Sequence, residues 1–330
     1  MNPKLIQNPP GIGLALSAGG ASGLAHIGVI QVLEEEGIPI AAVGGASMGA
    51  YIGSLWCAGH DGKQLEQFAA EIASRAHIVR LVDPSFPPMK GFLKGERLRA
   101  RLRDRLKNAT FDELDRPFLA IAADLDTFGR VILQQGNVSR AVHASCAIPG
   151  VCEPVRHDGR WLTDGGVVEP LPVRALHKHC PVEIDHVIAV TVVPSISAVE
   201  ECRAGQAAVA GPRKTLGKRV LGSVNRNVNV FAEGNLLNIL RRCLHASEIR
   251  LAEFAAAEAD VLIHPFVCDG HWYDFENFEK YIAVGREATT ASLPAIRRLL
   301  NTTDHPETQS NRKETEHASQ PNHSPILVGL

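Results

Sequence analysis

Three short turns carry the residues that could do chemistry. Gly45-Ala-Ser47-Met-Gly49 matches the pattern G-x-S-x-G, in which two glycines make room for a sharp bend that lifts a serine hydroxyl clear of a sheet. An earlier turn, Ala18-Gly19-Gly20-Ala21-Ser22-Gly23, can converge successive backbone N–H groups on one point, where negative charge is favoured. Thr163-Asp164-Gly165-Gly166 sets a carboxylate before two residues small enough to let another loop approach. A serine, a base and a set of N–H donors are the parts of acyl transfer through a covalent intermediate.

The base decides which kind of serine site this is. An α/β-hydrolase runs Ser, acid, His in chain order. Several histidines follow Ser47, among them His143, His245 and His271, but none of the candidates from His60 to His271 sits in a clear glycine-rich loop after a strand. The elbow also falls on the second strand, whereas an α/β-hydrolase places several strands before it. Both points turn the reading away from a triad and toward Asp164, a strand-end carboxylate that can serve as general base without histidine. On its own Asp164 reads better as a turn aspartate satisfying its local backbone; its pairing with the two glycine turns reverses that and favours the base.

Other uses of these motifs fit less well. A dinucleotide fingerprint with its last glycine on Gly23 would have Ala18 where the first glycine belongs, and the second strand ends in Gly44-Gly45 rather than an acid. No Gly-Lys-Ser/Thr follows either turn. His177-Lys-His179-Cys180 reads as a polar helix end rather than a metal site. No cofactor or metal is expected.

The elements around these turns alternate. Residues 12–17 read as a buried strand, with a helix to Glu36 closed by Gly37. Residues 40–45 form a second strand and Met48 to Ala58 a second helix. Helices are expected at 62–75 and 94–107, and strands at 118–123 and 131–133. A short helix capped by Asn137 or Ser139 runs to Ala147. Strands follow at 160–163 and 186–193, then helices at 229–257 and 275–300 around a strand at 260–264. Strand–turn–helix repetition of this kind implies an α/β fold with a mainly parallel sheet covered by helices.

Composition bounds the rest. The 330 residues are 45% hydrophobic and 21% charged, with net charge −2, so no overall basic field would recruit nucleic acid. Gly11–Leu33 and Ile38–His60 lack Lys, Arg, Asp and Glu and are long enough to span a bilayer, but their clustered glycines argue against spanning helices. A signal peptide is disfavoured by the Asn8-Pro9-Pro10 break. Seven scattered cysteines without a C-x-x-C pair imply no disulfide framework and suit a reducing cytosol. The expected organisation is an extension over 1–10, one domain over 11–300 and a disordered polar tail over 301–330.

Together these residues resemble the patatin-like phospholipase family, in particular its bacterial members related to neuropathy target esterase. Ala18–Gly23, the elbow Gly45–Gly49 and Asp164-Gly165-Gly166 match that family's three motifs in order. Ala144-Ser-Cys-Ala-Ile-Pro-Gly150 resembles its small-residue segment before the aspartate strand, and 259–265 and 272–275 also look familiar for the bacterial branch. The resemblance covers about 11–300. It implies a three-layer α/β/α fold with Ser47 as nucleophile and Asp164 as proton acceptor, and an oxyanion hole at Gly19, Gly20 and Ala21. The activity it implies is hydrolysis of lipid carboxylic esters; an acyltransferase using the same site with another acceptor is the alternative. The family loop usually reads Gly-Gly-Gly-x-Arg/Lys-Gly. Here Ala18 replaces its first glycine and Ser22 its basic residue, which removes a cation and weighs against a preference for anionic phosphoryl head groups.

One segment suggests a lipid surface. Arg203, Arg213, Lys214, Lys218, Arg219 and Arg226 fall in a stretch without acids, and Leu216, Val220 and Val224 recur at helical spacing. A basic amphipathic cap over 203–226 would dock on anionic membrane; Gly211, Pro212, Gly217 and Gly222 favour an ordinary solvated loop instead. The expected location is cytoplasmic, with peripheral membrane contact if the cap reading holds.

Overall fold

The structure is a computed structural model and describes residues 11–74, 80–209, 235–268 and 270–301. The basic segment from Arg213 to Arg226 and the tail beyond Asn301 lie outside the described residues.

Eight strands form one sheet. Its parallel part runs β3 (Phe118–Asp124), β2 (Ala42–Ala46), β1 (Ile12–Leu16), β7 (His186–Val190) and β8 (Val261–Ile263). Three antiparallel strands, β4 (Arg130–Leu133), β5 (Val155–His157) and β6 (Arg160–Asp164), extend it beyond β3. The central strands are buried throughout, as a sheet covered on both faces requires.

Side chains alternate between two apolar layers. Leu14, Leu16, Val43, Ile188 and Val190 pack into one with α1 (Ala25–Glu35), α2 (Met48–Cys57), α3 (Gly62–Ile72) and the C-terminal helix α9 (Phe278–Asn301). Ala15, Ala42, Ala46, Leu119, Ile121, Val187 and Ala189 pack into the other, covered by α6 (Val173–His179) and the end of α8 (Leu236–Ala256). Further helices are α4 (Glu96–Arg105), α5 (Val138–Ser145) and α7 (Ile196–Val209). The result is a three-layer α/β fold. Asn137 caps α5 by accepting from the Arg140 amide. The strand expected over 186–193 stops at Val190, because the chain leaves the sheet there: the Val192 amide bonds to Ser17 Oγ at 3.0 Å.

One strand arrangement sets up everything at the site. Ile121 of β3 pairs with Ile132 of β4 and Ala46 of β2; its neighbour Ala122 pairs with Val131 of β4 and Asp164 of β6. With β4 holding one edge, β2 and β6 must share the other. They run in opposite senses, so their C-terminal ends meet head to head along β3.

The cysteines require a correction. Cys202 in α7 and Cys268 after β8 are disulfide-bonded, while Cys57, Cys146, Cys152, Cys180 and Cys243 are free. Scattered spacing gave no sign of this bridge between residues 66 apart, so the cysteine pattern no longer argues for a reducing compartment.

Candidate active site

The head-to-head meeting of β2 and β6 places Ser47, the residue after β2, beside Asp164, the last of β6. Ser47 Oγ donates to Asp164 Oδ2 at 2.6 Å, and both residues are buried. The elbow is strained: Ser47 has φ +50°, a conformation that costs a non-glycine residue roughly 1–3 kcal/mol. The bend is possible because Gly45 and Gly49, two residues to either side, lack side chains. A Cβ on Gly45 would lie 2.5 Å from the Ala50 nitrogen, and one on Gly49 would lie 2.3 Å from the Leu16 oxygen.

The small-residue segment 144–150 supports both members of the pair. The Ser47 amide donates to Ser145 Oγ at 3.0 Å, and Cys146 Sγ donates to the Ser47 carbonyl at 3.2 Å. The Ala147 carbonyl accepts from the Asp164 amide at 3.0 Å and from Thr163 Oγ1 at 2.7 Å. Gly165 has no room for a Cβ, which would lie 2.2 Å from the Ile121 oxygen, and the Gly166 amide donates to Asp164 Oδ1 at 2.7 Å.

Burial raises the Asp164 carboxyl pKa from 3.8 to about 7, against the opposing effect of its bonds from Ser47 and Gly166; the nearby Glu248 carboxylate adds to the rise. Desolvation disfavours the charged form, so this carboxylate holds a proton far more tightly than an ordinary one. No histidine ring hydrogen-bonds Ser47 or Asp164 among the described residues. His143 is buried against the Lys94 carbonyl, with its pKa lowered by that burial. His245 pairs with Glu248 at 2.9 Å.

The glycine turn lies over the same point. It forms a single 3-10 turn, Gly20–Leu24, leading into α1, and is anchored where the Ser17 carbonyl meets His26 Nε2 at 2.9 Å. Gly20 has φ +57°, and a Cβ there would lie 2.5 Å from the Trp272 oxygen. Gly19 and Gly20 line the cavity above Ser47, and neither amide has a hydrogen-bond acceptor among the described residues. Ala21 departs from expectation. Its amide donates to the Trp272 carbonyl at 2.8 Å, so it is engaged in holding the turn and is not a free oxyanion donor. The amide of Met48 opens α2 directly after Ser47.

Ser47 stands where two cavities meet. One, of about 220 Å³, runs between α2, α3 and α4 and is lined mainly by apolar side chains, including Leu24, Tyr51, Leu55, Phe68 and Leu98. The other, of about 370 Å³, is wider and mixed, with Arg203, Arg241, His245 and Glu248 in its wall. Gly20, Ser47, Ile148 and Trp272 border both. The residues from α8 carry no motif, and only their place in the fold brings them to the site. Among the described residues no cluster of three or more His, Cys, Asp or Glu side chains could hold a metal ion, and no helix is long and apolar enough to cross a membrane.

The sequence profile described as Patatin-like phospholipase matches residues 14–177, which hold all three motifs. An NTE family protein of Mycobacterium tuberculosis is 36% identical over 258 residues, covering 77% of this chain and 67% of that protein. Neuropathy target esterase of Drosophila melanogaster is 32% identical over 187 residues, which span 55% of this chain and 13% of that much longer protein. Among solved structures, VipD from Legionella pneumophila superimposes on 90% of this chain and 67% of its own, with a TM-score of 0.43 at 13% identity. The motifs, their order and these relatives together mean that the chain belongs to the patatin-like phospholipase family, in the branch of the NTE proteins.

Proposed function

We propose that this protein is a serine hydrolase of lipid carboxylic esters, acting on phospholipids, lysophospholipids or related lipids through a Ser47–Asp164 dyad. The observation that carries the reading is the 2.6 Å bond from Ser47 Oγ to a buried carboxylate at the mouth of an apolar cavity. An acyl chain would occupy that cavity, with its ester carbonyl at Ser47 and its alcohol portion in the wider cavity. Asp164 takes the Ser47 proton as Oγ attacks the carbonyl carbon. The tetrahedral oxyanion is stabilised by the amides of Gly19, Gly20 and Met48, each such donor contributing about 3–4 kcal/mol. The alcohol leaves with the proton from Asp164. A water molecule then gives its proton to the same carboxylate and attacks the acyl-enzyme carbonyl; Ser47 Oγ leaves with that proton from Asp164, which releases the fatty acid and restores the dyad.

Ser47→Ala should abolish hydrolysis across a panel of lipid esters and prevent labelling by a fluorophosphonate probe, with folding intact. Asp164→Asn keeps the shape and removes the base, and should slow turnover by about 10²–10⁴-fold. Turnover at the wild-type rate in the Ser47 variant would end the reading. An acyltransferase would use the same site with an alcohol in place of water, and the width of the second cavity favours keeping that reading. A product analysis with and without added alcohol acceptor separates the two.

A further inference from the structure

The loop position that usually carries a cation in this family is Ser22, yet the wider cavity is not without positive charge. Arg241, on the second turn of α8, reaches its wall half-buried, with the guanidinium 5.9 Å from the centre of the Trp272 ring. Trp272 is itself fixed to the glycine turn through the Ala21 amide. The cation therefore stands over the site from the side where the alcohol portion of an ester would lie.

Most other partly covered arginines hold a carboxylate, as Arg99, Arg101, Arg130 and Arg286 do. Arg116 instead stacks on Trp56 and donates to its carbonyl, outside both cavities. No carboxylate of a described residue lies within 4.0 Å of the Arg241 guanidinium. The acid in its own cavity wall, Glu248, is bonded to His245 instead. Partial burial lowers the Arg241 pKa against the opposing pull of the Glu248 carboxylate, so an arriving anion would offset that cost of burial. A guanidinium offers several N–H donors in a fork that fits phosphate oxygens.

We propose that Arg241 is a specificity residue that binds a phosphoester group on the alcohol portion of the substrate, taking the place of the cation missing at Ser22. The proposal rests on the reading of Ser47 as the nucleophile, since that fixes which cavity receives the alcohol. It restores a preference for anionic phosphoryl groups that the loop sequence alone argued against.

The test uses two soluble esters with one acyl chain, octanoylglycerol 3-phosphate and octanoylglycerol. Arg241→Gln should lower the preference for the phosphorylated ester, as the ratio of kcat/KM values, on the order of 10- to 100-fold, chiefly through KM. Arg241→Lys should restore part of it. Arg242→Gln, an exposed neighbour on the same helix, should leave the preference unchanged. Calorimetric binding of both esters to the Ser47→Ala variant, with and without Arg241→Gln, separates this proposal from the hydrolase reading because no turnover is needed. Arg241-dependent binding of the phosphorylated ester without hydrolysis by the wild type would sustain the subsite and remove the catalytic assignment. Equal binding with and without Arg241, or an equal loss for both esters, would overturn the subsite. Inorganic phosphate binding as tightly as the acyl ester would overturn it as well, by marking a site for the free ion.

Discussion

At the scale of a single residue, Asp164 shows how one environment serves catalysis at the expense of stability. Its carboxyl titrates near 7, chiefly through burial, and only the ionised form can take the Ser47 proton. The rate on a soluble ester should therefore rise with pH, reach half its plateau near pH 7 and level off above it. A profile already flat from pH 5 would show that no raised carboxyl governs the reaction. Stability must move the other way. The folded state holds the proton more tightly than the unfolded chain, so the contribution is fully present below pH 3.8 and is lost as pH rises through about 7. A rise of this size corresponds to up to about 4 kcal/mol at alkaline pH. Asp164→Asn has no charge to bury. It should melt at a higher temperature than the wild type at pH 8, with the gain shrinking toward pH 4. Thermal melts of both proteins across that range check the sign directly.

At the scale of elements, the glycine turn is held in place by the helix that follows it. Helix α1 crosses α9 with backbone almost touching backbone. A Cβ on Gly28 would lie 2.0 Å from the Ile282 oxygen, and one on Gly285 would lie 2.0 Å from the Ala25 oxygen. Neither obstacle is a side chain that can swing away. Gly285→Ala should push the helices apart and cost about 1–3 kcal/mol, read as a lower urea midpoint. Gly136→Ala is the contrasting case, with φ +73° and open space around the new Cβ, so it bears only conformational strain of roughly 1–2 kcal/mol. Local pattern made most of these elements legible. Buried strands ending in glycine turns and helices closing at Gly37 or starting at Asn137 are written in neighbouring residues. The shared edge of β3 is not, because pairing of β2 and β6 on one strand depends on residues more than a hundred apart. Thus Ser47 and Asp164 were readable as motif members, while the reason they touch was not. Arg241, His245 and Glu248 lie on a helix with an unremarkable pattern and reach the site only through the packing of α8. The engagement of the Ala21 amide is hidden for a similar reason, since its acceptor, the Trp272 carbonyl, lies some 250 residues on.

At the scale of the whole molecule, the Cys202–Cys268 bridge joins two parts of the chain that wall the same cavity. Cys202 follows β7 on α7, and Cys268 opens the loop whose Trp272 holds the glycine turn. Both cysteines border the cavity that would receive the alcohol portion of the substrate. Closing a loop across a separation of 66 residues removes conformational freedom from the unfolded chain, and such a bridge typically contributes about 2–4 kcal/mol. Reduction should thus lower the Tm. A Cys202→Ser, Cys268→Ser double variant should melt where the reduced wild type does and should not respond to dithiothreitol. Alkylation in denaturant gives an independent count. With seven cysteines in the chain and five free, the non-reduced protein should take five labels and the reduced protein seven. Seven labels without reductant would mean that the bridge is absent in solution, and the Trp272 loop would then be held by its hydrogen bond to Ala21 and by packing alone. With the bridge present, the double variant should lose turnover more than Cys57→Ser, whose thiol is buried away from both cavities, because only the bridge connects to the loop that positions the oxyanion turn.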